Sequence, residues 1–123
     1  MTRVAIVALA TALLLAPCIS LAAQPKKGAT YRGETSDGDA VVMKVAKGGK
    51  RVTLSLTCDS GGEAVTIRRM PVSSTGAFSG VARRSGRVIL RASGRFVTPR
   101  KARGTKSGVV CFSGMGSFAA TRS

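Results

Sequence analysis

Short stretches in which apolar and polar residues alternate recur from residue 29 to the end of the chain, and glycine-rich turns separate them. Residues 51–58 show the pattern most plainly, with Val52, Leu54 and Leu56 on one face and polar residues between them. Because successive side chains of a β-strand point to opposite faces, this alternation predicts a strand that buries one face. Residues 87–96 alternate in the same way, and no segment after residue 22 has a helical period.

The spacing of these stretches predicts the fold class. Paired glycines, such as Gly48 and Gly49, supply the positive φ angles that tight hairpin turns need. Many short strands joined by such turns indicate an all-β domain, a small antiparallel sandwich or barrel of about seven to eight strands. The predicted strands cover residues 29–34, 39–46, 51–58, 63–69, 77–84 and 87–96, followed by a basic connection over 98–103 and strands near 104–111 and 117–122.

The first 22 residues have the three-part order of a secretory signal peptide. Arg3 precedes an uncharged run over residues 4–16, which is too short to span a membrane. Ser20 and Ala22 then place small residues at the spacing of a cleavage site. The predicted organisation is a signal peptide at 1–22, a short linker at 23–28 and a single β domain at 29–123, in a protein that is secreted or lies in the periplasm or cell envelope.

Two cysteines remain once the signal peptide is removed. Cys58 and Cys111 form an even pair in a small exported domain, which predicts a disulfide. A redox-active pair would show closely spaced cysteines, and a zinc site would need more ligands than two cysteines. Residues 15–18 also resemble the lipidation site of bacterial lipoproteins, but Pro17 replaces the small residue expected before Cys18 and argues against lipidation.

The basic charge is large and unevenly distributed along the chain. Twenty Lys and Arg residues face five acids, and removing residues 1–22 lowers the net charge only from +15 to +14. No acid follows Glu63, while residues 64–123 contain twelve basic residues. Such a field attracts polyanions. The composition of a GC-rich bacterial genome is an alternative cause, which would explain the excess of Arg over Lys but not the missing acids.

Three arginines are the best candidates for a binding site. Arg87, Arg91 and Arg95 are spaced four residues apart, which places them on one strand face at intervals of about 13 Å. Guanidinium groups in such a row can contact phosphate or carboxylate groups bidentately. The alternative is a solvated outer face that resists edge aggregation. Five further cations lie close in sequence and complete the predicted anion-binding set: Arg83, Arg84, Arg100, Lys101 and Arg103.

The residue types argue against an enzyme. The chain contains no His, so Ser-His-Asp and Cys-His arrangements are impossible, and no Ser-x-x-Lys motif occurs. Four of the five acids lie in or beside predicted turns, where solvated carboxylates are ordinary. Asp37-Gly38-Asp39 lacks the oxygen ligands of a calcium loop, so we expect no metal and no cofactor. Scarce aromatic residues, mostly assigned to the core, also disfavour sequence-specific binding of nucleic acid.

Several short motifs resemble those of small exported bacterial β-rich proteins of unknown function. The opening resembles their Gly-x-Tyr pattern at Gly28 and Tyr31, spaced one residue wider. The later matches are Gly94-Arg95-Phe96, Ala102-Arg103-Gly104-Thr105, a Cys-x-Ser-Gly motif at 111–114 and Phe118-Ala119-Ala120. The resemblance covers most of the chain after residue 22 and implies a β fold and export, but no activity.

The sequence therefore predicts an exported, non-enzymatic β domain that binds anionic envelope polymers or a membrane surface through a basic face. The alternative is a structural or inhibitory protein–protein interaction module whose charge is incidental. Salt dependence separates the two hypotheses, because electrostatic binding weakens steeply with ionic strength.

Signal cleavage after Ala22 should leave Ala23 as the N-terminal residue of the exported protein. Intact-mass measurement of exported protein tests this expectation. A species that keeps Cys18 and carries an added lipid would contradict it.

Overall fold

The computed structural model describes residues 23–59, 61–112 and 114–123. The predicted signal peptide, Cys18, Ser60 and Ser113 lie outside the described residues. Eight strands make up the domain, with a short 3-10 turn at Val110–Phe112. The strands are β1 (Thr30–Thr35), β2 (Ala40–Val45), β3 (Arg51–Thr57), β4 (Ala64–Pro71), β5 (Ala77–Arg84), β6 (Arg87–Thr98), β7 (Lys101–Gly108) and β8 (Gly116–Arg122).

The strands form one antiparallel sheet in the order β4-β3-β2-β1-β8-β7-β6-β5. Each strand pairs with the next along the chain except across the β4–β5 connection, and β8 pairs with β1. The sheet therefore curls into a nearly closed barrel with a seam between β4 and β5. An isolated bridge between Val72 and Phe78 joins the two sides of this seam at one end.

Because the strands run alternately up and down, the connections collect at two ends of the barrel. We call one end the cap end. It carries the N-terminal segment 23–29, the loops 46–50, 72–76 and 99–100, and the last residue of the chain. The other end, the disulfide end, carries the loops 36–39, 58–63, 85–86 and 109–115.

The interior is built from the inward-facing residues of all eight strands. Strands β2 to β4 contribute mainly aliphatic side chains, whereas the aromatic rings come from β1, β5, β6 and β8. The rings of Tyr31 and Phe78 both contact Phe96, with centroids 5.1 and 5.5 Å away, and Phe118 lies 6.5 Å from Phe78. An eight-stranded barrel is just wide enough for such side chains to fill.

The N-terminal segment packs against the cap end and is not a free linker. Ala23 is 7% exposed, and the side-chain amide of Gln24 donates to the carbonyls of Ser73 and Ser74. The buried hydroxyl of Tyr31 accepts a hydrogen bond from the backbone N–H of Lys26 and donates one to the Pro99 carbonyl. One phenol thus joins the N-terminal segment to the β6–β7 turn.

The predicted disulfide is present and crosses the disulfide end. Cys58 and Cys111 are bonded with their Cα atoms 5.1 Å apart, which ties the β3–β4 loop to the segment after β7. The inward position predicted for Cys58 is confirmed, since its side chain is buried.

Asp39 corrects the expectation that the acids in turns are ordinary solvated groups. It is only 4% exposed, and one carboxylate oxygen accepts a hydrogen bond from the backbone N–H of Asp59. The other oxygen has no hydrogen-bond partner among the described residues. Thr35 holds the same turn, because its hydroxyl accepts from the backbone N–H groups of Asp37 and Asp39.

The predicted basic connection over residues 98–103 is wrong. Strand β6 continues through Thr98, a two-residue turn follows, and β7 begins at Lys101. Pro99 occupies the turn, where its missing N–H costs no ladder hydrogen bond. On β7, Ala102 is buried and Arg103 is exposed, so the small side chain faces the core and the guanidinium group faces outward.

Replacing both Cys58 and Cys111 with Ala should lower the free energy of unfolding by about 2–5 kcal/mol, because the bond closes a long loop in the unfolded chain. Chemical denaturation of variant and parent measures this loss, and the reduced parent should show a similar loss. Thiol labelling of both cysteines in native, unreduced protein would contradict the bond.

Candidate anion-binding surface

The outer face of β6 carries the arginine row, Arg87, Arg91 and Arg95. All three side chains are exposed, whereas Leu90 and Phe96 on the alternate positions are buried. The co-facial placement predicted from the sequence is therefore confirmed. Strand register fixes it, because a shift of one residue would bury the cations and expose the core side chains.

Strand β7 adds a fourth arginine to this face. Arg103 lies directly opposite Arg95 in the β6–β7 register, and Arg91 lies opposite Ser107. Like charges at directly opposed positions destabilise a sheet. Across the strands, Arg103 lies opposite Ala119 on β8, and Ala119 lies opposite Glu34 on β1. No acid thus lies opposite Arg95 or Arg103 on a directly paired strand, and Glu34 lines a depression together with Arg103.

The eight predicted cations form three groups along the barrel wall. Arg91, Arg95 and Arg103 lie together on the β6–β7 face. Arg84 lies opposite Arg87 at the disulfide end, but its guanidinium also forms an exposed ion pair with Glu63 at 3.1 Å. Arg83, next to Arg84 on β5, also lies at the disulfide end, and the third group is Arg100 and Lys101 at the β6–β7 turn of the cap end.

The up-and-down topology separates the charges between the two ends. All five acids lie at the disulfide end: Glu34 near the end of β1, Asp37 and Asp39 in the loop 36–39, and Asp59 and Glu63 in the loop 58–63. Every described Asp, Glu, Lys or Arg at the cap end is a cation. These cations are Lys26, Lys27, Lys44, Lys47, Lys50, Arg51, Arg69, Arg100, Lys101 and Arg122.

Sequence reasoning missed most of these cap-end cations, because it gave weight to the arginine-rich second half of the chain. A signal for them is nevertheless in the sequence. In an up-and-down meander alternate turns reach the same end, so acids at the first and third turns and lysines at the second turn predict charge separation.

The described residues contain no group of three His, Cys, Asp or Glu side chains that could hold a metal ion. The carboxylate of Asp37 instead lies 3.3 Å from the ammonium of Lys106, which is 4% exposed. Within the same described part of the chain, no helix has the length and apolarity needed to cross a membrane.

The chain matches no protein-family model and no sequence among curated proteins. Its function is therefore inferred from the surface described above, and its resemblance to small exported bacterial proteins stays a prediction.

Changing Tyr31 to Phe should lower the free energy of unfolding by about 1–3 kcal/mol, because it removes the two hydrogen bonds by which the phenol joins Lys26 to Pro99. Thermal or denaturant unfolding measures the effect. Thr105→Val, which removes a hydroxyl from the exposed face, should change stability by less than about 0.5 kcal/mol. Equal stability of Tyr31→Phe and parent would contradict the role assigned to the phenol.

Proposed function

We propose that this protein is an exported, non-enzymatic β domain that binds anionic polymers or lipid headgroups of the cell envelope through its basic surface. The segregation of charge carries the proposal. A cap end with ten cations and no described acid, opposite an end that holds all five acids, gives the barrel a strong electrostatic polarity.

This polarity orients an approaching anion. Fields of one sign raise the local concentration of oppositely charged ligands and speed association. At the disulfide end the acids offset nearby cations, as in the ion pairs of Glu63 with Arg84 and of Asp37 with Lys106, so the net positive field lies at the cap end and the adjoining wall.

The arginines favour a ligand with forked oxygen groups. A guanidinium presents parallel N–H donors that match the two oxygens of a carboxylate or phosphate, and it stays charged at any physiological pH. Arg95 and Arg103 lie opposite each other on adjacent strands, so one anionic group can contact both.

The chemistry of the remaining residues supports a binding role over an enzymatic one. The sequence lacks His, and the two cysteines after residue 22 are bonded to each other. Lys106, the one basic residue that is buried among those described, lies beside Asp37. No described group therefore combines the acid, base and nucleophile that hydrolysis needs.

One observation favours the second candidate, a protein–protein interaction module. Val109 and Met115 are 76% and 82% exposed, and both lie in the loop 109–115 at the disulfide end. Exposed apolar side chains can mark a contact with another protein. A partner bound there would tolerate salt, whereas a polyanion bound to the arginines would be released.

The triple variant Arg87→Gln, Arg91→Gln, Arg95→Gln should fold with nearly unchanged stability, because exposed charges contribute little. It should bind polyphosphate and anionic vesicles more weakly. The slope of log affinity against log salt should become shallower by about two to three, since fewer counterions are displaced. Calorimetry and vesicle co-sedimentation over a range of ionic strength measure these changes.

A matched control for the double variant Arg91→Gln and Arg95→Gln removes the same charge outside the cap end: Arg32→Gln and Arg68→Gln, both exposed, on β1 and β4. A smaller loss in the control supports the β6 face as the site. Equal losses would reduce the effect to net charge. Failure of the parent to bind either polyanion at low salt would contradict the proposed function, and binding that persists at high salt would favour the second candidate.

A further inference from the structure

A row of hydroxyl groups crosses four adjacent strands on the same wall as the arginines. The strand registers place Ser79 on β5 opposite Ser93 on β6, Ser93 opposite Thr105 on β7, and Thr105 opposite Ser117 on β8. All four residues are exposed on the outer face. We call them the hydroxyl row. With strands about 4.8 Å apart, its ends are separated by about 14 Å.

Arginines flank the hydroxyl row on both sides. Arg95 and Arg103 lie two residues from Ser93 and Thr105 in one direction along the strands. Arg91 lies two residues from Ser93 in the other direction. Same-face neighbours along a strand are about 7 Å apart, so the guanidinium groups can reach a ligand seated on the row. Met115 borders the row on the same side as Arg91.

The surface along the β5–β7 part of the row is a shallow groove, whereas Ser117 lines a third depression together with Arg103 and Glu34. Two neighbouring depressions share Ser79 and Ser93 as lining residues, and Arg91 lines the first whereas Arg95 and Arg103 line the second. Ser79 and Ser93 thus line both depressions, and at least one arginine lines each of them. This relief suits an extended chain lying across the strands.

The hydroxyls of the row have no hydrogen-bond partner among the described residues. The comparable pair on the β3–β4 wall differs in this respect. Ser55 and Thr66 are also directly opposed and outward, but their hydroxyl oxygens lie 3.1 Å apart and bond to each other. The row is therefore free to donate to and accept from a ligand.

From this juxtaposition we infer that the groove binds an acidic polysaccharide, an inference that rests on the proposed function and names its ligand class. Sugar hydroxyls both donate and accept, as Ser and Thr hydroxyls do, whereas phosphodiester oxygens only accept. Carboxylate substituents of the sugars then contact Arg91, Arg95 and Arg103. A linked pyranose ring repeats at close to the strand spacing, so the row accommodates a segment of a few sugars.

The aromatic residues favour a charged sugar over a neutral one. Sites for neutral sugars and for nucleic-acid bases use exposed rings for stacking. Tyr31, Phe78, Phe96 and Phe118 are all buried, so none of these four rings is available for stacking. Hydrogen bonds and ion pairs must then supply the affinity, which requires anionic substituents. A planar bilayer would contact only a narrow strip of the curved wall.

The test compares oligogalacturonate with inorganic polyphosphate on the purified protein with its disulfide intact. The double variant Ser93→Ala and Thr105→Ala keeps every charge and removes the centre of the row. Its affinity for oligogalacturonate should fall about tenfold, the loss expected for two hydrogen bonds, while its affinity for polyphosphate stays within about twofold.

The matched control is Ser55→Ala and Thr66→Ala, which removes the same number of opposed hydroxyls from the other wall and should change neither affinity. The double variant Arg95→Gln and Arg103→Gln should have a lower affinity for both ligands.

Unchanged oligogalacturonate binding by the variant Ser93→Ala and Thr105→Ala would overturn the inference, and so would an equal loss of affinity for polyphosphate. Binding of polyphosphate but not of oligogalacturonate by the parent would overturn it while leaving the proposed function intact; binding of neither would remove both. Circular dichroism of each variant confirms that the fold is kept.

Discussion

The pairing of β1 with β8 is the constraint on which the rest of the structure depends. It joins residues from the two ends of the domain, such as Tyr31 and Arg122, and unites the meanders β1–β4 and β5–β8 in one sheet that curls into a nearly closed barrel. The strands approach so closely that a Cβ on Gly33 would overlap the carbonyl of Ala119, so this position accepts only glycine. Closure then fixes which residues face inward on every strand and which connections share an end.

The proposed binding surface is a consequence of the up-and-down order of the strands. Arg95 and Arg103 face the same side because β6 and β7 are neighbours in a hairpin, but the hydroxyl row extends to Ser117 only because β8 returns beside β7. The acids gather at one end for the same reason, since the loops 36–39 and 58–63 both lie at the disulfide end. Charge polarity and the polar groove therefore arise from topology acting on an ordinary alternating sequence.

The alternation of side chains predicted the fold class and the outward arginines, because both depend on local periodicity, and the even pair of cysteines predicted the disulfide. The start of β7 was predicted three residues too late, since the cations around Pro99 resemble a loop when no partner strand is known. Asp39 was assigned to solvent because its partner, the backbone of Asp59, lies twenty residues away. The hydroxyl row could not be predicted, because aligning Ser79, Ser93 and Thr105 requires the registers of two hairpins, which bulges shift.

The seam between β4 and β5 is the least hydrogen-bonded contact between neighbouring strands of the barrel. Gly80 lies against the side chains of Met70 and Ile67, so the two edges are held mainly by packing and not by a continuous ladder. Parting them breaks no hydrogen bond between any other pair of strands. Local opening of the barrel should therefore occur first between β4 and β5. Amide protons on these two strands should exchange with solvent faster than those on β1 and β8. Such motion would shift β5 together with the neighbouring strand β6, which carries Arg91 and Arg95, without unfolding the domain.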